Sequence, residues 1–213
     1  IWSVRMNSRE KAGSSMHTGL MHRQRVTDSD EASDVDLYSR LTLEDAPAQE
    51  ALSALYRRYS QRIYTYCRKI IGDNHTAEDL LQETFIKLYD SGKQGRIIEN
   101  FPAYLMTIAR NLCLSYRARN KRAYVQVEDF HLTARDVPYE HKELLSLIHA
   151  SLELLPEDYR EAFVLREYNG LTYSEISDVI GESLDVVKVR IFRAKKKLRD
   201  ILAPYLSDLN NNS

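Results

Sequence analysis

From Pro47 onward, apolar residues recur at three- and four-residue steps, and few stretches alternate as a strand would. Leu52, Leu55, Tyr56, Tyr59, Ile63, Tyr66 and Ile70 line one face of a long helix, which Gly72-Asp73-Asn74 ends. A second helix follows, with Thr76 as its cap and Asp79 in the reciprocal position. Its inner face is Ala77, Leu80, Leu81, Thr84, Phe85 and Leu88. A loop bearing Gly92 and Gly95 comes next, and Pro102 opens a third helix near its first turn. Leu105, Ile108, Ala109, Leu112 and Tyr116 face inward there. Three such stripes complete a small bundle.

The helical period resumes from His141 to Leu155, Pro156 starts another helix that runs through Glu167, and Asn169-Gly170 turns the chain. Thr172 and Glu175 form a capping box ahead of Ile176, Val179 and Ile180. Gly181 ends that short helix where a left-handed backbone is wanted, and Ser183 is placed to cap the next. Val187, Ile191, Ala194, Leu198 and Leu202 give the last helix its buried stripe. The pattern is a helix-turn-helix.

The expected architecture is therefore all-α, with two small helical domains on a flexible linker. Residues 1–46 are polar, lack a stripe and read as a disordered extension. Residues 47–122 hold the three-helix bundle, 123–139 an acidic linker, 140–206 the helix-turn-helix domain, and 207–213 a disordered tail.

Charge changes this picture locally. The whole chain of 213 residues carries a formal charge of only −1. Yet Lys188, Arg190, Arg193, Lys195, Lys196, Lys197 and Arg199 crowd the last helix with no acid among them. Such a run is either a solvated surface or a phosphate-binding face. Its place after a capped helix and a glycine turn favours DNA. A second basic region spans Ala51 to Arg122, with 13 cations against 6 acids, crowded toward Arg110, Arg117, Arg119, Lys121 and Arg122.

Several classes drop out. No apolar run approaches the roughly 20 residues that cross a bilayer, so no stable membrane insertion is expected. Cys67 and Cys113 lie far apart without metal-ligand spacing, and read as reduced core thiols of a cytoplasmic protein. The six histidines form no paired-ligand motif. No nucleophile–base set and no phosphate-cradling glycine loop are present, so neither an enzyme nor a cofactor or metal is expected.

Three stretches taken together carry a resemblance: AEDLLQETFIKLY (Ala77–Tyr89), FPAYLMTIARNLCLSY (Phe101–Tyr116), and Leu155–Leu198 through the helix-turn-helix. In this order they resemble sigma-70-type initiation factors, and the short two-domain form matches the bacterial extracytoplasmic-function group. The resemblance spans about residues 48–203. It implies a cytoplasmic bacterial protein whose partners are core RNA polymerase (the β′ clamp coiled coil and the β flap), promoter DNA and an anti-sigma factor.

The resemblance also implies roles for particular residues. Asp79, Gln82, Glu83 and Ile86 share one outward stripe, which is either a solvated acidic face or the polymerase-docking surface. Asn111 matches the −10-contacting asparagine, with Arg110, Arg117 and Arg119 placed for phosphates. Tyr104 sits where many relatives carry tryptophan, to stack on an unpaired base or to fill the core. Lys188, Phe192 and Arg193 match the −35-reading face, flanked by Asp185 and Arg190. Val189 departs from the family, whose members often carry a small hydroxyl residue there. The competing reading is a stand-alone helix-turn-helix regulator, separated from the first by co-purification with core polymerase.

Overall fold

The computed structural model describes residues 32–120 and 147–211, with side chains through Tyr205. Among the described residues every regular element is helical. Helix α1 (Asp34–Ser39) runs into a 3-10 turn (Arg40–Thr42), followed by α2 (Ala46–Ile71), α3 (Asn74–Lys93) and α4 (Phe101–Asn120). Residues 147–153 form α5. Helices α6 (Glu157–Glu167), α7 (Tyr173–Ile180) and α8 (Leu184–Asn211) complete the chain. The linker expected at 123–139 and the extension through residue 31 lie outside the described residues.

Most of the α2, α3 and α4 stripes pack as their spacing predicts, with Leu55, Ile63, Tyr66, Leu80, Leu88 and Leu105 buried at their centre. Tyr56 of the expected α2 face is 42% exposed, however, and Leu52, Ile108 and Tyr116 are half-buried at the edge. Gly72 closes α2 in the left-handed region (φ 89°), its N–H bonded to the Arg68 carbonyl at 3.0 Å. The cap of α3 is corrected from Thr76 to Asp73, whose carboxylate accepts the Thr76 N–H at 2.7 Å. Asp is the stronger N-cap, and it stands three residues upstream, where the first free amide points. Bonds from Thr76 hold the Asp73 carboxyl below its ordinary range. Gly92, read as loop, belongs to α3.

Order begins earlier than the sequence suggested. The expectation of disorder through residue 46 fails at α1 and the 3-10 turn, where Leu37 and Leu41 are fully buried and Tyr38 nearly so. Ser33 caps α1, and Asp34 binds Arg58 at 2.6 Å and the Tyr59 hydroxyl. At Gly92 a Cβ would come within 2.5 Å of the Leu41 Cβ, so this position needs glycine for close approach rather than for a turn. At the other end α8 continues through Pro204 to Asn211, whereas residues 207–213 were expected to be a disordered tail.

The two units share one apolar core. Ala162, Val164, Leu165, Leu171 and Ile176 of the C-terminal unit join the cluster formed by α2, α3 and α4. A polar clasp crosses the same boundary. Glu161 accepts from the Tyr66 hydroxyl at 2.8 Å and from Arg110 through Nε at 2.9 Å and a terminal nitrogen at 3.2 Å. Asn169 donates to the Arg62 carbonyl at 2.8 Å, and Arg117 pairs with Glu157. Burial raises the Tyr66 pKa well above that of an ordinary tyrosine, and the Glu161 charge raises it further. For Arg110 burial alone would favour deprotonation, but bonding to Glu161 outweighs it and holds the guanidinium charged.

Candidate nucleic-acid interfaces

The helix-turn-helix forms through local rules. The Glu175 N–H bonds to Thr172 Oγ1 at 3.2 Å and Glu175 Oε2 accepts the Thr172 N–H at 2.7 Å, which closes the capping box. Burial pushes the Glu175 carboxyl up, but the Thr172 bonds outweigh that and lower it overall. Gly181 takes φ 71°, and the Val186 N–H reaches Ser183 Oγ at 3.4 Å to start α8. Val187, Ile191, Ala194 and Leu198 then bury one face of α8, as their spacing required, whereas Leu202 at the end of the expected stripe is only half-buried.

The opposite face of α8 is open. Lys188, Phe192 and Arg193 are exposed, Phe192 at 69%, and Lys188 lies 3.4 Å from Asp185. The phenyl ring thus stands on the helix surface between two cations, four residues from Lys188 and next to Arg193. Arg193 donates to the Tyr159 hydroxyl at 3.1 Å, across a cleft of about 440 Å³ between α6 and α8. Tyr159 was not foreseen, because it is 34 residues from Arg193 in sequence. Arg190 is different. Its side chain is 17% exposed and held by Glu182 at 2.9 Å and Asp158 at 3.2 Å, so it braces the motif. Lys195 is likewise paired with Glu167, at 2.7 Å.

A larger groove of about 780 Å³ runs between α3 and α4. Tyr104, Asn111 and Arg119 line it together with Ser91 and Arg96. The Arg96 guanidinium lies 5.5 Å from the Tyr104 ring centre, and Ser91 Oγ is hydrogen-bonded to the Tyr104 hydroxyl. Lys87 adds a third cation and Glu83 and Asp90 two carboxylates, so the lining keeps a net positive charge, and with an aromatic ring and an amide it suits an unpaired nucleotide. Arg110 and Arg117, expected beside Asn111, point instead to Glu161 and Glu157. Spacing explains the division. Residues 110 and 117 are seven apart, as are 104 and 111, and each pair shares its own face of α4. That signal was available; the acidic partners 40 and 51 residues away were not.

On α3, Asp79, Gln82 and Ile86 are exposed, with Ile86 at 60%, and Glu83 is partly so. Asp79 sits 3.2 Å from His75, and Glu83 lies 3.7 Å from Lys87. Ile86 thus stands exposed beside the carboxylates of Asp79 and Glu83 on one face of α3. Among the described residues no cluster of His, Cys, Asp or Glu could hold a metal ion, and no helix is long and apolar enough to cross a membrane.

The fold is that of two helical units, the second carrying a helix-turn-helix whose last helix is basic. Two family profiles match the chain: Sigma-70 region 2 over residues 55–123, and Sigma-70, region 4 over residues 145–198. The ECF RNA polymerase sigma factor SigE of Mycolicibacterium smegmatis is 32% identical over 200 residues, covering 89% of this chain and 77% of that protein. The ECF RNA polymerase sigma factor SigW of Bacillus subtilis is 31% identical over 171 residues, covering 71% and 88%. Among solved structures, CnrH in complex with the cytosolic domain of CnrY shares the fold, with TM-score 0.63 and 22% identity over 80% of this chain and 97% of that one. The sigma factor RpoE in complex with the anti-sigma factor NepR, from Bartonella quintana, does so with TM-score 0.60 and 22% identity over 71% and 96%.

This chain belongs to the extracytoplasmic-function group of the sigma-70 family. It is a non-enzymatic initiation factor that binds core RNA polymerase and directs promoter-specific transcription. The stand-alone regulator reading is set aside, since such a protein has no need of region 2.

Proposed function

We propose that the three faces divide the work of initiation. Lys188, Phe192 and Arg193, with Asp185 at the helix start, enter the major groove of the −35 element. The cations reach guanine O6 and N7 or phosphates, and the phenyl ring meets a thymine methyl. Tyr104, Asn111 and Arg119 hold the −10 strand after its bases leave the stack, with Arg96 adding charge over the ring. Asp79, Gln82, Glu83 and Ile86 dock the β′ clamp coiled coil, and the C-terminal unit meets the β flap. Arg110 and Arg117 reach phosphates only after Glu161 and Glu157 release them, so they act at −10 in an opened chain. Arg190 acts in DNA recognition by bracing α8 against Glu182 and Asp158.

The observation that carries this reading is the exposed Lys188–Phe192–Arg193 face on the helix that Ser183 starts, within a chain of matching family order. Solved proteins of the same fold form complexes with the cytosolic domain of CnrY and with the anti-sigma factor NepR, and a partner of that kind restrains this chain as well. The setting is the bacterial cytoplasm, where core polymerase and promoters are. The test is Lys188→Ala with Arg193→Ala in the full chain. Affinity for a −35 duplex falls at least about tenfold, since each specific contact is worth about 1–3 kcal/mol, while affinity for core polymerase is unchanged. Loss of both activities together contradicts the division.

A further inference from the structure

The segment Asp34–Thr42 precedes the region 2 match, which starts at residue 55, yet it packs behind Ser91 and Tyr104, two residues that line the α3–α4 groove. Leu41 sits directly on Gly92 of α3. The Tyr38 ring packs 6.0 Å from Phe101 and 5.9 Å from Tyr104, edge-on to the latter at 69°. Its hydroxyl is 2.9 Å from Ser91 Oγ, and Ser91 Oγ is bonded in turn to the Tyr104 hydroxyl. Three hydroxyls thus run from a buried ring on α1 to an aromatic at the open groove.

We infer that Tyr38 is a positioning residue for the −10 groove. It acts through Ser91 to fix the Tyr104 ring and to set which hydrogen-bonding group the groove shows to an unstacked base. The inference rests on the reading of that groove as the −10 site.

Proton counting gives the chemistry. Three hydroxyls carry three protons, and two links use two of them. A buried O–H that lacks an acceptor costs more than an unused lone pair, so Tyr38 donates to Ser91. Whichever way the Ser91–Tyr104 bond runs, one proton remains at Ser91 or Tyr104, the two hydroxyls that line the groove, and is available to a ligand there. The groove therefore holds at least one hydroxyl proton for an acceptor on an unstacked base, a carbonyl oxygen or ring nitrogen. Removing the Tyr38 hydroxyl frees Ser91 to turn, so Tyr104 loses its fixed partner and the groove its fixed polarity. Burial raises the Tyr38 pKa further above the neutral range, so the hydroxyl has its proton to give.

Tyr38→Phe keeps the ring contacts and deletes only the hydroxyl. Holoenzyme assembled from the full chain and core polymerase is tested on a promoter fragment recovered by binding selection. 2-Aminopurine in the −10 element reports unstacking, and non-template −10 oligonucleotides with each base substituted in turn give a base-preference profile. Tyr38→Phe and Ser91→Ala each weaken −10 strand binding roughly 3- to 10-fold, the range of one neutral hydrogen bond. Both flatten the base preference at one −10 position, and the double variant is no worse than Ser91→Ala alone. Binding to −35 duplex and to core polymerase stays at the wild-type level, which a general folding defect would not allow. Unchanged −10 binding and profile in Tyr38→Phe, additive losses in the double variant, or a wild-type profile without any preference overturns the inference. Tyr104→Ala separates the two levels: if it leaves −10 binding intact the groove reading itself fails, and if it alone weakens binding only the role of Tyr38 fails.

Discussion

Glu161→Ala attacks the clasp between the two units. The carboxylate accepts three hydrogen bonds, at 2.8 Å from Tyr66 and at 2.9 and 3.2 Å from Arg110. Tyr66 is fully buried, and the Arg110 side chain is 20% exposed. Breaking a buried ion pair from one side costs about 3–5 kcal/mol, and partial hydration of the guanidinium places this one at the low end. An orphaned buried hydroxyl adds about 1–3 kcal/mol. The total is capped, however, by the free energy with which the units dock, because once they separate, water satisfies both groups. The expected loss is therefore about 3 kcal/mol, a large share of the 5–15 kcal/mol of a typical domain. Alternatively the single unfolding transition splits into two. Calorimetry and urea unfolding of the full chain distinguish these outcomes. A single transition within about 0.5 kcal/mol of wild type, the usual effect of a surface substitution, refutes the reasoning.

Two further substitutions have clear signs. His149 is buried beside Lys69, Arg68 and Arg160, with Glu153 at 3.9 Å, and burial followed by the Lys69 charge lowers its pKa to about 4. Its folded pKa is thus below the ordinary 6.5, so its contribution is complete above about pH 6.5 and is lost as pH falls toward 4. Stability measured from pH 7 to 4.5 should fall more steeply in the wild type than in His149→Leu, and parallel curves would contradict the assignment. Gly92→Ala improves helix propensity by up to about 1 kcal/mol but drives a methyl to 2.5 Å from the Leu41 Cβ. Crowding of this kind costs about 1–3 kcal/mol, so hydrogen-exchange protection should drop selectively over residues 34–42. A net stabilisation of the chain would show that the contact yields freely.

Local rules made the helix-turn-helix legible before any coordinates. The capping box at Thr172 and Glu175, the left-handed Gly181 and the stripe from Val187 to Leu198 each depend on neighbours within a few residues. Helix α1 was invisible for the opposite reason. It has six residues, too few to show a period, and its anchors Arg58 and Tyr59 lie 24 and 25 residues from Asp34. The same limit divided the basic residues. Sequence shows that Arg110, Arg117 and Arg190 are cations, but not that Glu161, Glu157, Glu182 and Asp158 already hold them. Side chains that met no long-range partner, such as Phe192 and Ile86, stand exposed where the helical period put them. Docking of the two units was also beyond reach, because the apolar contacts of Leu171 and Ile176 with the bundle join segments from opposite ends of the chain.

The most direct measurement is run-off transcription with core RNA polymerase, purified full-length chain and promoter fragments recovered by binding selection. A discrete transcript that depends on the added chain is expected, lost when either the upstream or the downstream DNA element is scrambled. Absence of any specific start site, from a preparation that still binds core polymerase and DNA, would contradict the account.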